Sequence, residues 1–137
     1  MSSPAIPSTR TGTLFALLVM TQAAHSVEEY IGQLWESFPP ARYITGIVSN
    51  DRELSFVVIN LGIVAFGAWC LIWPVRRRWS VAAGLMWLWV GIETINGVGH
   101  PLWSLRQGGY TPGLVTAPVL FALAILLARQ LRKDSAW

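Results

Sequence analysis

Apolar residues run almost unbroken through three stretches of the chain, 56–73, 81–98 and 112–128. Each is close to the roughly 20 residues that a helix needs to cross a bilayer. A fourth stretch, 11–34, is apolar over 14–20 and then turns polar with Thr21, Gln22, His25, Ser26, Glu28 and Glu29. Helix breakers mark the limits: Pro39-Pro40 allows little helix beyond the first stretch, Pro74 closes the second and Pro101 the third. Gly108-Gly109 makes a turn, and Thr111 before Pro112 reads as an N-cap and first-turn proline opening a fourth helix that Pro118 kinks. The pattern predicts helices at about 11–34, 55–74, 80–100 and 111–130. The connection over 35–54 is long enough to hold an element of its own, and 43–48 suits a short helix on the membrane surface.

Composition narrows the class. With 137 residues, 53% of them hydrophobic and 12% charged, the chain suits one membrane domain better than a soluble one or a pair. Its net charge of +3 comes from basic residues dispersed among helix ends, which does not fit nucleic-acid binding. The single cysteine, Cys70, lies in an apolar run and reads as packing. Arg10, Arg76, Arg77, Arg78, Arg129, Arg132 and Lys133 share one side of the predicted bundle, with Arg42, Arg52 and Arg106 on the other. The positive-inside tendency then makes both termini cytoplasmic and disfavours dual topology. Trp35 and Trp103 suit the outer interface, Trp73 and Trp79 the inner one. Arg10, a short apolar core and Thr-Gln-Ala-Ala also form a passable signal-cleavage pattern, but cleavage there would cut the polar set from its partners. The expected protein is all-α: a multi-pass cell-membrane protein with one four-helix transmembrane bundle over 11–130 and cytoplasmic tails at 1–10 and 131–137.

An ionised side chain in hydrocarbon costs roughly 3 kcal/mol on insertion scales, so ionisable residues inside membrane helices point to a functional site. Here Glu28, Glu29, Glu93, His25 and His100 fall inside predicted segments, with Asn96 beside them. At about 1.5 Å per residue, His25 counted from Arg10 and Glu93 counted from Arg78 both sit roughly 22 Å above the cytoplasmic side. Asn60 and Thr111 reach a similar depth in the other two segments. At about 100° per residue, His25, Glu28 and Glu29 share one side of their helix, and Glu93, Asn96 and His100 form a stripe on theirs. Facing interior side chains of a four-helix bundle build metal and ligand sites, so one pocket open toward the outer leaflet or the outer solvent is expected. Simpler roles compete at several positions. Glu29 and His100 either face the bundle or reach interfacial water, Asn60 and Asn96 also suit interhelical hydrogen bonding, and Trp89 is either pocket wall or core. Glycines 62, 67, 84 and 91 read as allowing close helix packing.

The stretch His25-Ser-Val-Glu28-Glu29 resembles the family of small bacterial and archaeal membrane proteins named for an HXXEE motif. The later set, Glu93-Thr-Ile-Asn96-Gly97-Val-Gly99-His100 followed by Tyr110-Thr111-Pro112-Gly113, is similar to later segments of that family. The resemblance implies a polytopic membrane domain over most of the chain. It implies no activity, because the family is functionally uncharacterised.

Chemistry therefore has to come from charge balance. Three glutamates with no Lys or Arg inside the apolar runs need neutralising. One answer is a divalent metal held by His25, Glu28, Glu93 and His100, with Glu29 or Asn96 as supporting groups or base. Such an ion would activate water or polarise an oxygen of a lipid-like or isoprenoid substrate, in a non-redox reaction. The second answer is protonation, giving an acid–base isomerase or cyclase in which Glu28, Glu29, Glu93 and Asn96 do the chemistry beside tryptophan walls. The third is a proton-coupled small transporter or a non-catalytic binding protein. Asn60, Trp89, Tyr110 and Thr111 are the expected substrate-pocket residues. Four helices leave little enclosed space, which suits either a lipid-like substrate entering between helices or a homodimer.

Overall fold

The first helix begins where the sequence offers a cap. In the computed structural model, which describes residues 8–134, the Ser8 side chain accepts from the Thr11 amide and α1 runs over Thr9–Ile31. The outermost parts of the two predicted tails, 1–7 and 135–137, lie outside the described residues. Gly32 ends α1 and donates back to the Glu28 carbonyl. Two short helices follow, α2 (Leu34–Ser37) and α3 (Pro39–Val48). Pro39-Pro40 thus opens a helix, at the one place where a missing N–H breaks no helical bond. Asp51 caps α4 (Arg52–Cys70), which runs on into a π-helical turn, Leu71–Val75, around Pro74. The last two helices are α5 (Ala82–Gln107) and α6 (Ala117–Asp134). Among the described residues there is no strand.

Three sequence expectations are corrected. Pro101 does not close α5, which continues to Gln107 and ends at Gly108 in the left-handed region (φ +70°). The extra turns are held by contacts that local propensity does not reveal: Trp103 packs on Phe38, and Ser104 bonds to Thr111. The fourth long helix starts at Ala117 rather than 111, so Pro118 occupies its first turn and need not kink it. The relative height of α1 and α5 also differs from the residue count, since Gln22 rather than His25 stands level with Glu93. Residues 76–81 form a turn rather than helix, with Arg78 at φ +55°, so a count from Arg78 at helical rise does not apply there.

α6 packs against both α1 and α5, and α4 lies along α1. Phe15, Leu18 and Val19 of α1 meet Met86, Trp89 and Val90 of α5 and Ala124, Leu127 and Leu131 of α6 in the main core. Trp89 is fully buried there, edge-on to Phe15 and stacked on Phe66, so it is core rather than cavity wall. A smaller cluster of Leu34, Trp35 and Phe56, with Phe38 and Ala41, seats α2 and α3 at one end. Of the glycines expected to permit close packing, only Gly67 does so: an added Cβ would lie 3.0 Å from Trp89 and Val19, whereas Gly62, Gly84 and Gly91 face open space. The tightest helix approach is at Gly97, where a Cβ would come within 2.4 Å of Phe121 Cβ.

Among the described residues one helix, Arg52–Val75 including the π turn, is long and apolar enough to cross a membrane by length and composition. The polar residues within α1 and α5 and the basic end of α6 hold the other long helices below that mark.

Candidate functional site

α1 supplies His25 and Glu29, one turn apart on a buried face, and α5 supplies His100. His25 Nε2 and His100 Nε2 each stand 3.2 Å from the same oxygen, Glu29 Oε1. The two imidazoles meet edge-to-face with centroids 4.8 Å apart. All three residues are buried, so Glu29 and His100 face the bundle rather than interfacial water. One ligand atom from each lies within 4.8 Å of the others, a group that could hold a metal ion.

The far side of each ring fixes what it presents. His100 Nδ1 is 2.8 Å from the Pro112 carbonyl, which can only accept, so Nδ1 carries a proton. His25 Nδ1 is 2.6 Å from Thr116 Oγ1, whose own proton goes to Glu28 Oε2 at 2.6 Å, so this Nδ1 is also the donor. In neutral rings both Nε2 atoms then offer lone pairs toward a carboxylate oxygen. His25 Nε2 is buried without a hydrogen-bond partner. Three acceptors meeting in this way are reconciled either by a cation or by a proton shared between an imidazole and Glu29.

Glu28 points elsewhere, to the start of α6. Tyr110 Oη, the Val115 amide, the Thr116 amide and the Thr116 hydroxyl all donate to its carboxylate, at 2.9, 3.0, 2.9 and 2.6 Å. It pairs two amides of the turn that leads into α6 and sets a negative charge near that helix's positive end. The incoming loop needs Gly113: its φ is +89°, and a Cβ would lie 2.5 Å from the His100 ring and 2.9 Å from that of His25.

Two turns back along α5 from His100, Glu93 is wholly buried and takes a hydrogen bond from Asn96 at 3.1 Å. With the Gln22 amide nitrogen facing it, Gln22 donates to both Glu93 oxygens at 3.0 Å. Among the described residues Glu93 has no ion-pair partner. Ser26 donates to Asn60 at 2.7 Å, tying α4 to the same side of α1. A cavity of about 220 Å³ opens beside these groups. Glu29, His100, Asn96, Gln22 and Asn60 are among its polar lining residues, and Phe38, Ala41 and Ile44 of the α2–α3 region are among its apolar ones.

The motif that supplies two of the clustered residues is also what places the chain among known proteins. A family model described as a protein of unknown function with HXXEE motif matches residues 16–128. The chain belongs to the HXXEE family. No curated protein and no solved structure matches it.

The HXXEE motif thus sends its His and second Glu to the cluster and its first Glu to α6. Of the residues expected as metal ligands, His25 and His100 are in the cluster, Glu28 is saturated by donors from the α6 side, and Glu93 lies with Gln22 and Asn96. Glu29, expected in a supporting or catalytic role, is the carboxylate between the histidines. Of the expected pocket residues Asn60 lines the cavity, Thr111 is buried against Ser104, and Tyr110 is exposed and bound to Glu28. Gln22, Thr116 and Gly113 were not singled out as site residues. Gln22, Ser26 and Glu29 form an i, i+4, i+7 stripe, and Thr116-Ala117-Pro118 is a cap followed by a first-turn proline, so both signals stand in the sequence.

Proposed function

We propose that this HXXEE protein is a multi-pass membrane protein in which His25, Glu29 and His100 bind a divalent metal ion that acts on the polar end of a lipid-like substrate. The observation that carries the reading is the meeting of two oriented imidazole Nε2 atoms on one carboxylate oxygen, each at 3.2 Å. A tetrahedron with metal–ligand bonds of about 2.0 Å has edges of about 3.3 Å, and two histidines with one glutamate are a ligand set of catalytic zinc. Such an ion supplies Lewis acidity and a water that is acidic near neutral pH, which suits hydrolysis or another non-redox reaction. Glu29 and His100 line the cavity, so the open side of the cluster faces the space that a substrate would enter.

Support for the bilayer setting comes from the outward surface. Met20 and Ile31 on α1, Leu61 on α4, Ile95 and Leu105 on α5 and Val119 on α6 are all exposed, so every long helix presents large apolar side chains outward. The four long helices then form the transmembrane bundle, with both termini cytoplasmic by the distribution of Arg and Lys. The apolar and polar lining residues of the cavity match an amphiphile.

A second reading is favoured by Glu93 itself. A carboxyl sealed from solvent and held by the amides of Gln22 and Asn96 could serve a metal-free acid–base isomerase or cyclase. Cobalt titration of the chelator-treated, detergent-purified chain separates the two. The metal reading requires stoichiometric uptake with the visible bands of a four-coordinate ion, lost in Glu29→Gln and kept in Glu93→Gln. Absence of those bands in the wild-type protein rejects it and leaves Glu93 as the reactive group.

A further inference from the structure

The two glutamates of the motif are neighbours in sequence but meet different partners. Glu29 faces the imidazole Nε2 atoms, whereas Glu28 has each oxygen occupied by two donors: Tyr110 and the Val115 amide on Oε1, the Thr116 amide and hydroxyl on Oε2. We propose that Glu28 and Thr116 are positioning residues that set the tautomer of His25, with Thr116 relaying the demand of the Glu28 carboxylate to His25 Nδ1.

The chain of donors runs in one direction. A carboxylate accepts only, so the Thr116 hydroxyl proton is committed to Glu28 Oε2 at 2.6 Å. The hydroxyl oxygen must then accept from His25 Nδ1, also at 2.6 Å. The opposite rotation, with the hydroxyl donating to His25, would leave two acceptor oxygens 2.6 Å apart, and the Thr116 amide, donating to the same Glu28 oxygen at 2.9 Å, holds residue and carboxylate together. With its proton on Nδ1, a neutral His25 turns a lone pair on Nε2 toward Glu29 and His100. The opposite tautomer would place a proton on the atom that has to ligate. His100 reaches the same state by a different device, the Pro112 carbonyl, so the loop before α6 orients both rings. A hydrogen bond on the far nitrogen that fixes the ring and its tautomer is a recurring support of metal-bound histidine, and its loss costs about 10- to 100-fold in metal affinity.

This inference rests on the metal reading only for what Nε2 meets; the tautomer is a separate observable. The test uses the full chain in detergent as wild type, Thr116→Val and Thr116→Ser. Long-range ¹H–¹⁵N correlations of the histidine rings report which nitrogen holds the proton in the metal-free protein, and competition against a zinc chelator gives affinity. The expected result is Nδ1–H at His25 in wild type and Thr116→Ser and its loss in Thr116→Val. Zinc affinity should be about 10- to 100-fold lower in Thr116→Val and restored in Thr116→Ser. An Nε2–H tautomer in the wild type, or a Thr116→Val protein with the wild-type tautomer, overturns the proposal. Wild-type protein that binds no zinc but shows the stated tautomers in all three forms upholds the positioning role and rejects the metal reading instead.

Discussion

The His100 ring occupies the space that a β-carbon on Gly113 would need, since an added Cβ would lie 2.5 Å from both Cε1 and Nδ1 of that imidazole. The loop backbone therefore acts as one wall of the cluster. Gly113→Ala combines this overlap with a φ of +89° that L side chains rarely adopt. It should destabilise the protein by at least about 2 kcal/mol and lower metal uptake with it, read by thermal unfolding and metal analysis of the same preparation. Uptake and melting both at wild-type levels would contradict the packing described.

Gly97 predicts a purely structural effect. A methyl group there meets Phe121 Cβ at 2.4 Å, so Gly97→Ala should force α5 and α6 apart at a cost of about 1–3 kcal/mol. Gly91→Ala, on the same helix with nothing near the added carbon, should be neutral or slightly stabilising. Denaturation of the two variants side by side checks the contrast, and equal effects would contradict it.

Much of this architecture is legible in the chain. Three of the four long helices are visible as apolar runs and the first as a short apolar run that turns polar, and the stripe of Glu93, Asn96 and His100 follows from helical periodicity. The His-Ser-Val-Glu-Glu stretch announces a polar face on α1. Adjacent residues in a helix diverge by about 100°, so one of Glu28 and Glu29 must turn away from whatever the other faces. Which one turns depends on where α6 begins, and two Thr-containing starts, at 111 and 116, compete for that role in the sequence. The structure uses Thr116, and Glu28 follows it. The heights of α1 and α5 depend on the rise of the 76–81 turn, which a residue count cannot supply. The continuation of α5 past Pro101 goes with the packing of Trp103 on Phe38 and the bond of Ser104 to Thr111 beyond the helix end.

The clamp between the start of α1 and the end of α6 gives a pH dependence. Asp134 accepts from the Ser8 amide at 3.0 Å, the Thr11 hydroxyl at 2.6 Å and Gln130 at 3.0 Å. Burial pushes its carboxyl up, but these hydrogen bonds outweigh burial and hold it below the ordinary aspartate range. A depressed folded value means that the stabilisation is fully present above the unfolded value, about 4, and is lost as pH falls through the folded one. Acid should therefore release the start of α1 from the end of α6 in the wild type, while Asp134→Asn lacks the pH-dependent part. Amide exchange at residues 9–12 between pH 6 and pH 3 measures it, and identical profiles in both proteins would refute it.

Ala41 lines the cavity from α3 and is not one of the three cluster residues. Ala41→Trp should fill much of the roughly 220 Å³ space and leave metal uptake intact. Affinity for a long-chain alkyl hydroxamate should fall by at least about tenfold, while that for acetohydroxamate stays unchanged. Titration calorimetry with both probes tests this, and an equal loss for both would show that the substitution disturbs the cluster rather than the cavity.

The most direct test of the metal centre is elemental analysis by plasma mass spectrometry of untagged protein purified in detergent without added metal or chelator, as wild type, Glu29→Gln and Glu93→Gln. Near one equivalent of a single divalent metal in wild type and Glu93→Gln, with little in Glu29→Gln, is the predicted result. Metal at trace level in the wild type, or retained in full by Glu29→Gln, would contradict the claim that His25, Glu29 and His100 form a metal site.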